Sequence, residues 1–107
     1  MKKRQTIRVL GLRYSLEFAD AATDELLQGN LGAAHAGKQI IKVDSRSPAD
    51  QQRETLLHEL LHISDLEVAA PEERLDEAAI MRVSRALFAI FRDNKGIAEW
   101  IASEGDE

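Results

Sequence analysis

In the segment Leu56-Leu57-His58-Glu59-Leu60-Leu61-His62-Ile63, two histidines flank a glutamate in the spacing H-E-x-x-H. On a helix, residues four apart lie one turn apart on the same face. His58 and His62 can therefore offer imidazole nitrogens to a single Zn²⁺. Glu59 is rotated by roughly 100° from His58, at about 3.6 residues per turn. That sets its carboxylate beside a metal rather than on it, where it can take a proton from zinc-bound water. Leu57, Leu60 and Leu61 then form the opposite, buried side of the helix. The chain has three histidines and spends two of them here. Packed core histidines rarely come paired at this spacing around an acid, so a metal site is the expectation.

The remaining composition narrows the field. A chain of 107 residues, 44% hydrophobic and 31% charged, suits one globular domain. A net charge of −5 argues against direct binding to a nucleic-acid backbone, which needs a basic face. With no cysteine, a disulfide framework and a thiolate-held metal are both excluded, so zinc must be held by histidine and carboxylate. Met1-Lys2-Lys3-Arg4 is followed by no apolar signal segment, and no apolar run approaches the roughly 20 residues of a membrane span. A cytoplasmic protein with no membrane association is expected.

Periodicity supplies the elements that must position the motif. Ile7 and Val9, then Tyr14, Leu16 and Phe18, alternate at period 2 around Gly11, giving one strand or two segments broken by a bulge or bend. Asp20 to Gln28 reads as a short helix or turn closed by Gly29-Asn30. Leu31 to Ala36 is a weak strand, and Gly37-Lys38 turns into a strand over Gln39 to Val43. Ser47 as N-cap and Pro48 at the first helical position start a helix running to about Asp65. Pro71 starts a second helix, carried to about Asp93 by Leu75, Ile80, Val83, Leu87, Ile90 and Phe91. Ile97 to Ala102 is a short helix with Ile97, Trp100 and Ile101 packing back. The expected fold is α+β: a small, about three-stranded, mainly antiparallel sheet on a central motif helix, a second long helix and a short C-terminal helix. One domain covers 1–107, frayed at 1–5 and 103–107.

Two histidines call for a third protein ligand and one open position. The candidates are His35, Glu67, Glu72, Glu73, Asp76 and Glu77. Extending the stripe Ile80, Val83, Leu87, Phe91 back by whole turns brings Glu73, Asp76 and Glu77 onto or beside it. Acids there also complement the positive end of the helix dipole, worth roughly 0.3–1 kcal/mol each, but acids on an apolar stripe need a partner. His35 reads as a surface or hydrogen-bonded histidine, with an oxyanion role as the alternative. Tyr14 reads as amphipathic core.

The run Glu54-Thr55-Leu56-Leu57-His58-Glu59-Leu60-Leu61-His62, the helix Glu77-x-x-Ile80-x-x-Val83-x-x-x-Leu87 and the closing Phe91-Arg92-Asp93-Asn94 resemble the small HExxH-type metallopeptidases encoded by phages and prophages. Those are similar in turn to minimal gluzincin-like metalloproteases of the ImmA/IrrE type. The resemblance covers about Ile7 to Asn94 and implies a minimal zincin-like domain. It also implies that a glutamate near the start of the helix after the motif completes the metal site. By its distance to Ile80, Val83 and Leu87, that residue is Glu77, with Glu73 the runner-up.

The functional expectation is a zinc-dependent hydrolase, specifically a peptidase, with His58, His62 and Glu77 holding zinc and Glu59 as general base. Its partner would be a peptide or protein substrate, recognised along an exposed sheet edge, and the chain a monomer or small homo-oligomer. The alternative is a non-catalytic, zinc-stabilised regulatory or interaction module, in which Glu59 would have no task. A metal-free helical adaptor is a third reading, separated from the others by metal analysis.

Overall fold

Alternation over the first third folds into a hairpin. In the computed structural model, which describes residues 2–105, β1 (Arg4–Val9) and β2 (Leu12–Ala19) pair antiparallel with Val9 opposite Leu12. The break at Gly11 is a two-residue turn, not a bulge. Leu10 and Gly11 both have positive φ, 51° and 83°, the mirror-image turn whose twist matches a hairpin. Arg4 and Gln5, expected to fray, pair with Glu17 and Leu16. Met1 and residues 106–107 of the expected frayed ends lie outside the described residues.

Asp20 to Gln28 forms successive turns rather than a helix. Asp24 explains why: its Oδ1 accepts the backbone N–H groups of Leu26 and Leu27, and Oδ2 accepts Lys42 Nζ at 2.7 Å. A carboxylate that captures local amides favours a turn over a helix interior. The turns deliver the chain to β3 (Gly32–His35), which runs antiparallel to β4 (Ile40–Asp44). β4 then inserts between β3 and β2, parallel to β2. The α+β class stands, but the sheet is four-stranded and mixed, in the order β1-β2-β4-β3. A parallel neighbour was invisible to a reading that joined consecutive strands by hairpins.

Tyr14, Leu16, Ile41 and Val43 fill one face of the sheet and are buried with Val9 and Ile63. The opposite face carries Glu17 and Lys42, which pair with Arg4 and Asp24. On the apolar face lies α1 (Ala49–Val68). Its N-cap position is Pro48, with no side-chain cap. Ser47, the expected cap, donates instead to Asp44 Oδ2.

The second helix begins later than Pro71. Pro71–Glu73 is a single 3-10 turn, and α2 spans Glu77–Asp93. Asp76 caps it by accepting the Ala79 N–H, while Asp65 on α1 accepts the N–H of Leu75 and holds the linker extended. A better cap, five residues downstream of the proline, set the boundary. α3 (Ile97–Ala102) follows after Asn94–Gly96, but Trp100 and Ile101 do not pack back; both are about two-thirds exposed.

Candidate metal centre

The buried stripe of α1 is Thr55, Glu59 and Ile63, spaced four apart and facing the sheet. This corrects the expected division of the helix. Leu57, Leu60 and Leu61 are only half-buried, and the acid lies under the helix. The reason is the strand beneath. β3 supplies Gly32 and Ala34, so the helix approaches closely there. A Cβ built on Gly32 would stand 2.5 Å from Thr55 Cγ2 and 3.1 Å from Glu59 Oε2. Gly32 is required for space, where any side chain would displace the carboxylate or the strand.

His58 and His62 project from the flank of this stripe. Glu77, the first residue of α2, reaches both: Oε1 lies 2.7 Å from His58 Nε2, and Oε2 lies 2.7 Å from His62 Nε2. The two Nε2 atoms are 3.1 Å apart. Of the candidates for third ligand, the structure brings only Glu77 to the histidines. Glu73 Oε1 accepts the Ala70 N–H at 3.4 Å, and Asp76 caps α2. His35 is exposed, with Nδ1 accepting the Lys38 N–H at 3.0 Å. Tyr14 is core; its hydroxyl has no partner among the described residues, and burial raises its pKa.

Does this donor set fit zinc? Two ligands bonded to one tetrahedral ion at about 2.1 Å are roughly 3.4 Å apart. One donor atom each from His58, His62 and Glu77 lie within 4.8 Å of one another. Two imidazoles and a carboxylate, with solvent on one side, are the chemistry of a site with an open position. The residues fit.

The Glu59 carboxyl has its pKa raised. Burial under β3 is the main cause, Glu77 adds to it, and the two histidines oppose it. Such a group binds protons more avidly than a solvated carboxylate. The cluster opens into a cleft of about 570 Å³ between β3 and the two helices. Leu31 and Met81 line it, and Arg85 with Glu54, 3.6 Å apart, are among its lining residues.

Sequence reasoning missed Ser84. It is buried on α2 two turns after Glu77, with Oγ 3.5 Å from His58 Nδ1 and donating to the Met81 carbonyl at 3.1 Å. A hydroxyl so engaged keeps lone pairs for an imidazole N–H. The available signal was a small polar residue four positions after Ile80, on the buried face. Val83, assigned to that face, is 40% exposed.

No known protein family, curated protein or solved structure matches the chain.

Proposed function

We propose that the protein is a zinc-dependent hydrolase, specifically a peptidase, in which His58, His62 and Glu77 hold the metal and Glu59 is the general base. The observation that carries this reading is the Glu59 carboxylate: buried beside the histidine pair, hydrogen-bonded to neither imidazole, and lining the cleft. A purely structural metal site has no use for such a group, and keeping a carboxylate out of water is costly.

When bound, zinc supplies Lewis acidity, polarising a scissile carbonyl and making water a nucleophile near neutral pH. The chain's own residues do the rest. Glu59 would take the proton of the attacking water and give it to the leaving amine. Ser84 steadies the His58 ring from behind. β3 is one of the two edge strands, the one beside the cleft, which Asn30, Leu31 and Gly32 line. Its outer backbone groups suit an extended peptide added as a further strand. No helix among the described residues is long and apolar enough to cross a membrane, and we place the protein in the cytoplasm.

The test is cleavage of a library of unstructured peptides, read by mass spectrometry, by zinc-loaded protein. Wild type should cleave and a chelator should abolish it. Glu59→Gln should keep one zinc per chain but lose about 10² or more in turnover. Equal cleavage by Glu59→Gln, or none by zinc-loaded wild type, would sink the hydrolase reading.

A further inference from the structure

Away from the metal cleft, α1 and α2 leave a second groove of about 320 Å³, lined by Leu56, Leu57, Leu60, Phe88 and Phe91. Its rim is cationic. Arg53 and Arg92 both pair with Asp50, so two guanidinium groups share one carboxylate. Arg92 also lies over the Phe88 ring, 4.9 Å from its centroid. The same chain carries a feature of opposite character. α3 presents Trp100, 64% exposed, and Ile101, 66% exposed, and packs substantially on no other element among the described residues. It is acidic: Glu99 lies within it, and the sequence continues Ser103-Glu104-Gly105-Asp106-Glu107. Neither Trp100 nor Ile101 lines the groove of its own chain.

We infer that the occupant of the α1/α2 groove is α3 of a second copy, exchanged reciprocally in a two-fold dimer. The physics is that of an amphipathic helix laid in an apolar groove. Trp100 and Ile101 would enter among the leucines and phenylalanines, and the acidic residues around them would meet the arginine rim. Exchanged reciprocally across a two-fold axis, the pair of contacts is self-complementary and closes after two chains. Reciprocity also answers the size problem: one six-residue helix covers little, whereas exchange doubles the buried surface. The inference does not depend on the metal or on hydrolysis.

Trp100 is the only tryptophan in the chain, so its fluorescence reports the contact directly. Zinc-supplemented full-length protein should sediment as a dimer with blue-shifted emission, and dilution should shift the emission to the red. Trp100→Ala and Leu57→Glu should each raise the dimer dissociation constant by at least about tenfold, the scale of a central aromatic or apolar anchor. Arg53→Glu, at an exposed position that does not threaten the fold, should weaken the dimer and remove part of its salt sensitivity. Mixing Trp100→Ala with Leu57→Glu rebuilds one of the two helix–groove contacts and should shift the emission part of the way to the blue, relative to Leu57→Glu alone at the same concentration. Three results would each overturn the inference: a monomer with exposed tryptophan at every concentration, a monomer with buried tryptophan independent of concentration, or a dimer indifferent to both substitutions.

Discussion

Oε1 of Glu77 stands 2.7 Å from Nε2 of His58, a contact between the first turn of one helix and the middle of another. Glu77 opens α2 directly after the capping Asp76, and the same carboxylate reaches His62 Nε2 through its other oxygen.

Glu77→Ala should therefore weaken zinc binding by at least about tenfold, since it removes one of the three proposed ligands. Glu73→Ala should change it by less than about twofold, because Glu73 only supports a 3-10 turn. Competition with a chromogenic chelator measures both. A larger loss at Glu73 would reassign the ligand.

Ser84→Ala should cost about 10–100-fold in zinc affinity, the usual penalty for losing the group behind a ligating imidazole. Ser84→Thr should recover much of it by restoring the hydroxyl. An alanine variant that binds zinc as tightly as wild type would show the 3.5 Å approach to His58 to be idle.

Gly32→Ala should destabilise the metal-free protein by about 1–3 kcal/mol, the range for overpacking a tight contact. The nearest obstacle is Thr55 Cγ2, at 2.5 Å from the added carbon. Thr55→Ser removes that methyl, so the double variant should be more stable than the two single effects predict. Strictly additive urea midpoints would mean that the strand simply moves away.

Acid should loosen the sheet through Asp24 and Asp44. Asp24 is held below the usual carboxylate range chiefly by its hydrogen bond from Lys42, and Asp44 chiefly by the Ala21 N–H. Both folded-state values lie under the unfolded one, near 3.9. Their stabilisation is thus complete above about pH 4 and lost as pH falls through the folded values. Asp24→Asn should be less stable than wild type at pH 7, and the two curves should converge below about pH 4. Urea midpoints that stay parallel down to acid would contradict this.

The cluster of His58, His62 and Glu77 was legible because its signals are local or nearly so. H-E-x-x-H needs only helical periodicity, and Glu77 lay on the stripe of Ile80. What escaped depended on contacts between distant segments. Nothing near Gly32 announces that Glu59 will lie above it, and nothing in β2 names β4 as its parallel neighbour. The start of α2 was misplaced because Pro71 and Asp76 are both valid helix openings. Asp76 is the better cap, and Asp65, one helix away, holds the residue before it extended. Trp100 was assigned inward on its character alone, with no element available to receive it.

Two of the proposed ligands belong to α1 and the third to α2, and the chain between them, from Ala69 to Asp76, is mostly exposed and tied down by few hydrogen bonds. An ion gripped by all three is therefore a rivet between helices whose intervening segment contributes little restraint of its own. In exchange terms, the amides of that segment and of the first turn of α2 should open at low free energy. Their protection factors should rise with metal occupancy, while those of β2 and β4 follow the global stability of the sheet.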